Sequence, residues 1–332
     1  MSANPSASKV PFKLSDPGKT MAQDPAMSEY LRCYEFPSPP EVRYGFIRLD
    51  SPQPKDRVGL FGQVWLPMQA TGTVLLVHGF AEHAGNYSAL VRDLVNAHLA
   101  VAILDLRGHG LSEGPRGHVE GPDTYAEDIE AFVDAIFPSV LPSRPLYIFG
   151  HSLGALTALQ VLQRKKLSVK PAGAVLTSPL LGFPELLGAQ KYLAALAPIV
   201  ARVLPTLPIA HGIPPTVLSH DEAYLARRQQ DPLISRVATP RWLLSVGKSV
   251  LEIQAKAGEL GSACPTLLML AGDEKVTNLD EARRFAFRAY AGLRHKVIEF
   301  PGYYHEIEKE SGVRSRVVSE AIAWFKSHQA HA

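Results

Sequence analysis

A chain of 332 residues, 46% hydrophobic and 20% charged, has the composition of a soluble globular protein and room for one large α/β domain or two smaller ones. Its formal net charge of +2 supplies no basic field of the kind that marks nucleic-acid binding. The two cysteines, Cys33 and Cys264, stand far apart outside any C-x-x-C spacing, which indicates neither a disulfide scaffold nor a zinc site.

Residues 1–28 are rich in Ser, Pro, Ala and Lys and lack an apolar h-region. They read as a flexible tail, taken here to extend over 1–40, and not as a secretory leader, so the expected location is cytoplasmic. From about Tyr44 onward, apolar runs alternate with amphipathic stretches. Strands are predicted at Tyr44–Leu49, Leu60–Leu66, Thr73–His78, Val101–Asp105, Leu146–Gly150, Ala172–Thr177, Thr266–Ala271 and Lys296–Phe300. Helical periodicity marks Tyr125–Phe137, through Tyr125, Ile129, Phe132, Val133 and Ile136, and again Arg314–His328. Continuous apolar strands alternating with helices predict an α/β fold: a mostly parallel sheet covered on both faces, with ligands at the carboxyl ends of the strands.

One segment breaks the alternation. Residues 182–246 are proline-punctuated and helix-leaning, too long for an ordinary loop, and are predicted to form a cap inserted between core segments 41–181 and 247–332. The longest apolar candidate in it, between Lys191 and Arg202, is well short of a membrane span.

Three placements point to nucleophilic chemistry. Gly150-His151-Ser152-Leu153-Gly154 follows an apolar strand and precedes good helix formers, the context of a nucleophile elbow that lifts a serine hydroxyl clear of a sheet. A serine hydroxyl needs a base, and the base needs a third group to hold it. In the α/β-hydrolase order of serine, acid, histidine, the acid follows the strand Thr266–Ala271 as Asp273 or Glu274, and the histidine follows Lys296–Phe300 as His305. The backbone N–H groups of Leu153 and of Phe80, in the turn His78-Gly79-Phe80, would stabilise the oxyanion. His305-Glu306 begins like a zinc-protease motif, but Lys309 occupies the place of the second histidine.

Together with Ser152 and His305, the runs His78-Gly79-Phe80-Ala81-Glu82-His83 and Asp105-Leu106-Arg107-Gly108-His109-Gly110-Leu111-Ser112-Glu113-Gly114 resemble the monoacylglycerol lipase and lysophospholipase group of the α/β-hydrolases. The resemblance covers about residues 42–328. It implies a serine hydrolase with a helical cap, no cofactor and no metal, cleaving a carboxylic ester of a single-acyl-chain lipid. Aligning Glu274-Lys275-Val276 with the group's acid motif favours Glu274 as the acid, with Asp273 the runner-up. Caps in the group often meet membranes, so Leu193–Ile209 has two readings, cap core or peripheral membrane contact. A short-chain carboxylesterase and a non-catalytic interaction protein on the same fold remain the alternatives. Oligomeric state is not legible.

Overall fold

A computed structural model describes residues 25–37, 41–48, 58–140, 145–184, 197–290, 292 and 294–329. Its main sheet has eight strands: β1 (Glu41–Arg48), β2 (Gly59–Leu66), β3 (Gly72–Val77), β4 (Leu99–Leu104), β5 (Leu146–His151), β6 (Gly173–Thr177), β9 (Thr266–Ala271) and β10 (His295–Phe300). A separate antiparallel pair, β7 (Ile209–Ala210) and β8 (Val237–Ala238), lies within the insertion. The order across the main sheet is β1-β2-β4-β3-β5-β6-β9-β10. β2 pairs antiparallel with both neighbours, and every other pairing is parallel. This is the α/β-hydrolase fold.

Buried on both faces, the central strands divide their side chains between two cores. On one face Leu75, Val77, Ala102, Leu104 and Ile148 pack against α3 (Thr124–Val140), α4 (Leu153–Arg164), α6 (Pro240–Ala255) and α8 (Leu279–Ala289). On the other face Val74, Leu76, Val101, Ile103 and Phe149 pack against α2 (Ser88–Asn96) and α9 (Arg314–Ser327). Each of these Val, Leu, Ile and Phe side chains contributes roughly 1.5–3 kcal/mol on full burial.

Two expected boundaries need correction. Within the predicted tail, Pro25–Cys33 form helix α1, and Met27, Tyr30 and Phe36 are buried. Phe36 stacks on Trp65 at 4.8 Å between ring centroids, so this segment belongs to the second core. Three apolar side chains outweigh the polar composition around them. Residues 1–24, which the tail was also expected to include, lie outside the described residues. The predicted cap boundary at 246/247 falls inside α6, which runs unbroken from Pro240 to Ala255. Thr239 caps that helix by accepting from the Trp242 N–H at 3.2 Å, and Pro240 occupies its first turn. Trp242, Val246, Val250 and Ile253 pack into the main core, which puts all of α6 with the core.

The described residues of the rest of the insertion touch loops leaving the carboxyl ends of the strands. Helix α5 (Glu222–Gln230) carries Arg228, which donates to the Ala81 carbonyl after β3. The Leu218 carbonyl accepts from Glu306 N–H after β10 at 2.9 Å, and Thr239 N–H donates to Gly117 at 2.9 Å. Leu193 lies outside the described residues. Ile199, Val203, Leu204, Leu207 and Ile209 are exposed. Among the described residues no helix is long and apolar enough to cross a membrane.

Candidate active site

Ser152 is the N-cap of α4 and adopts φ 51°, ψ −113°. A non-glycine residue there costs on the order of 1–3 kcal/mol, which the surroundings must offset. They do so through backbone bonds: Ser152 N–H donates to Thr177 at 3.0 Å, and the Ser152 carbonyl accepts from Ala155 and Leu156, both at 3.1 Å. The elbow is also closed sterically. A Cβ on Gly154 would sit 2.0 Å from the Val77 carbonyl oxygen, and one on Gly150 would sit 2.7 Å from that of Gly154. Side chains are excluded because helix and strand backbones touch.

The histidine comes from the other end of the chain. Its loop leaves β10, and the His305 carbonyl is held by the Ser178 hydroxyl at 2.6 Å. His305 Nε2 lies 2.9 Å from Ser152 Oγ, and His305 Nδ1 lies 2.7 Å from Glu274 Oε2. A carboxylate only accepts, so Nδ1 carries the proton and Nε2 is left to accept from the serine hydroxyl. The other oxygen of Glu274, Oε1, accepts from Val276 N–H at 2.7 Å and Thr277 N–H at 3.1 Å. Both carboxylate oxygens are thus hydrogen-bonded, and the side chain is 2% exposed. Asp273 is different. Its side chain is 42% exposed and pairs with Lys275 at the surface. The structure joins Glu274 to His305, and Asp273 lies outside that chain of hydrogen bonds.

Burial alone would drive the Glu274 carboxyl up, but the adjacent His305 and the two backbone donors outweigh it and hold it below its usual value. For His305 burial acts downward, and Glu274 overcomes it, so the imidazole is raised above 6.5. Other histidines nearby behave in the opposite way. Burial takes His78 down to about 4 and His109 to about 3, and it holds His151 well below its ordinary value. These three are neutral struts near pH 7. His78, for example, donates from Nδ1 to the Gly79 carbonyl at 2.7 Å and accepts at Nε2 from Leu106 N–H at 2.9 Å, bracing two rim loops against each other.

Leu153 opens α4, so its N–H is among the first four that a helix leaves without an internal partner, at the positive end of the helix dipole. Phe80 lies across the site in the turn after β3. Phe80 lines a cavity of about 150 Å³ together with Ser152, His305 and the apolar Ile213, Leu218 and Val276.

A buried charged cluster beside the pocket was not foreseen from sequence. Glu82 Oε2 accepts from Tyr87 OH at 2.6 Å and Gly79 N–H at 2.9 Å, and Lys309 binds Oε1. Lys309 also faces Glu306 at 3.4 Å and Glu308 at 3.6 Å. Burial pushes the Glu308 carboxyl up to about 7, despite the pull of Lys309. Glu306, Glu308, Lys309 and Glu310 are closely spaced charges, yet all four are buried or nearly so. The only available signal was their position directly after His305.

Residues 68–312 match the family model described as "Serine aminopeptidase, S33". The chain belongs to that family. It is 30% identical to the monoglyceride lipase of Homo sapiens over 278 residues, covering 82% of this chain and 88% of that protein. With the monoacylglycerol lipase of Mycolicibacterium smegmatis it shares 27% identity, covering 80% and 92% respectively. Among solved structures, a Paleococcus ferrophilus monoacylglycerol lipase superposes with a TM-score of 0.70 at 27% identity, covering 81% of this chain and 99% of the other. These matches place this hydrolase in the monoacylglycerol lipase group of the α/β-hydrolase superfamily.

Proposed function

We propose that the protein is a serine-dependent carboxylic ester hydrolase acting on single-acyl-chain lipids of monoacylglycerol or lysophospholipid type. The observation that carries this reading is the buried hydrogen-bonded chain from Ser152 Oγ through His305 to Glu274, opening into an apolar-walled cavity. Relatives with the same group membership are monoglyceride lipases, and a phospholipase of Bacillus subtilis is 26% identical.

In this mechanism His305 Nε2 takes the Ser152 proton as Oγ bonds to the ester carbonyl carbon. The carbonyl electron pair moves onto oxygen, where the Phe80 and Leu153 N–H groups receive it. Collapse expels the alcohol, which takes the proton from His305 and leaves an acyl-enzyme on Ser152. Water then repeats the sequence, its proton passing to His305 and on to Ser152 as the carboxylic acid departs. Glu274 holds the imidazole tautomer throughout.

Residues 182–239 act as the cap over this site. The cavity of about 150 Å³ is smaller than the ~300–1,000 Å³ of typical small-molecule sites, so a long acyl chain enters only when the cap shifts. The exposed Ile199, Val203 and Leu207 suit contact with a lipid surface during that step.

The test is hydrolysis of 1-monoacylglycerols of increasing chain length by the wild type and by S152A. A buried CH₂ is worth about 0.8 kcal/mol, so kcat/KM should rise about fourfold per CH₂ until the acyl site is filled. Rates that peak at acetyl or butyryl esters would replace this reading with a short-chain carboxylesterase. Activity that survives in S152A would remove Ser152 from the mechanism.

A further inference from the structure

The turn Gly79–Glu82 carries one of the two N–H groups assigned to the oxyanion, and its conformation is not one the chain adopts unaided. Ala81 has φ +57°, in the left-handed region that disfavours a Cβ. Besides the His78 bond to the Gly79 carbonyl, three ties hold the turn. Gly79 N–H donates inward to Glu82 Oε2 at 2.9 Å. The Glu82 carboxylate is itself fixed by Tyr87 and Lys309. The third tie comes from outside the turn: Arg228 Nη2, on α5 of the insertion, donates to the Ala81 carbonyl at 3.1 Å.

Arg228 is nearly enclosed, its side chain 8% exposed. Its Nη1 lies 3.7 Å from Glu82 and 3.9 Å from Glu306, both beyond hydrogen-bonding distance. The guanidinium's one hydrogen bond at this turn is therefore to a backbone carbonyl. Peptide planes are rigid: the His78 bond to the Gly79 carbonyl holds the plane that carries the Phe80 N–H, and the Arg228 bond holds the Ala81–Glu82 plane, so the torsions of Phe80 and Ala81 are confined between two fixed planes. The Phe80 ring adds a second hold, 4.1 Å from the Trp242 ring between centroids.

We propose that Arg228 is a positioning residue for ester hydrolysis: by holding the Ala81 carbonyl from the insertion, it keeps the 79–82 turn in the form that presents the Phe80 N–H to the oxyanion. The proposal rests on the hydrolase reading above. It makes seating of the insertion a condition for a complete oxyanion site, so substrate binding and catalytic competence are linked through one side chain.

The test compares wild type, R228K and R228M, each as the full chain, on p-nitrophenyl butyrate and 1-monobutyrin. These esters share an acyl group and differ in the leaving alcohol. Losing one whole oxyanion donor costs about 10²–10³ in kcat, so a displaced donor should cost R228M at least about tenfold. The loss should be equal on both esters with KM within about twofold, and R228K should recover part of it. A81G serves if R228M does not fold. Glycine suits φ +57°, and the loosened turn should lower kcat at least about threefold on both esters. Unchanged kcat in folded R228M, or in A81G where R228M does not fold, overturns the proposal. So does a loss confined to the KM for monobutyrin, which would make Arg228 a contact for the alcohol. Neither result touches the hydrolase reading, which fails separately if the wild type cleaves neither ester or if S152A keeps its activity.

Discussion

Replacing Glu274 by glutamine isolates the contribution of one charge at nearly constant shape. Glu274 accepts through both oxygens: Oε2 faces His305 Nδ1 at 2.7 Å, and Oε1 takes the Val276 and Thr277 N–H groups at 2.7 and 3.1 Å. Glutamine has one oxygen and one NH₂. Two backbone donors outcompete one imidazole for the oxygen, so the NH₂ turns toward Nδ1. Nδ1 must then accept, which puts the ring proton on Nε2 and leaves nothing to receive the Ser152 proton. The same carboxylate-to-amide change in a serine protease lowers kcat about 10⁴-fold, and E274Q is expected to lose roughly 10³–10⁴, equivalent to about 4–5.5 kcal/mol. D273N removes only an exposed pairing with Lys275, a kind of interaction worth about 0–1 kcal/mol, and should keep activity within about twofold. Initial rates on a soluble p-nitrophenyl ester, with a fluorophosphonate titration of active sites, measure both. Full activity in E274Q, or a large loss in D273N alone, would refute the tautomer argument.

Because Glu274 raises His305 above 6.5, the base is free only above that value, and kcat/KM should climb through a midpoint on the alkaline side of 6.5. In E274Q burial acts without its counterweight, so the residual activity should show a midpoint at lower pH. Stability follows the same signs: His305 contributes below 6.5 and loses that contribution as pH rises through its raised value, whereas Glu274 contributes above 4.5 and loses it as pH falls through its depressed value. G154A would drive a methyl to 2.0 Å from a β3 carbonyl and should cost about 3 kcal/mol or more in urea unfolding. Gly258, in the short helix α7 (Ala257–Leu260), has open space around its added Cβ, so G258A should gain roughly 0.5–1 kcal/mol. Aspartates at Ile199 and Val203 should weaken co-sedimentation with phosphatidylcholine vesicles about tenfold while rates on a soluble ester stay unchanged.

Periodicity located all eight strands of the main sheet, and Thr266–Ala271 has the predicted limits. Strands buried on both faces are continuous apolar runs, which makes them easy to see. Their order was not visible, because β4 between β2 and β3 is a matter of crossovers and no residue in those strands encodes it. Pro25–Cys33 reads as tail in the sequence because Met27, Tyr30 and Leu31 are too few large apolar side chains to stand out from the surrounding composition. At the site, strand ends and chain order point to Ser152, His305 and the pair Asp273 and Glu274, and only the resemblance of Glu274-Lys275-Val276 to the group's acid motif favours Glu274. The hydrogen bond from Arg228 to Ala81 spans 147 positions and involves a backbone carbonyl, so no side-chain pattern could have announced it. The burial of Glu306, Glu308 and Lys309 is not legible for a related reason: it depends on Glu82 and Arg228 arriving from elsewhere.

The central claim is that Ser152 is the nucleophile of a hydrolase. Reaction of the full chain with a fluorophosphonate, followed by intact mass and peptide mapping, tests it most directly. One adduct on the peptide bearing Ser152, absent from folded S152A, is the predicted result. An adduct that persists in S152A, or a folded wild type that takes up no label, would contradict it.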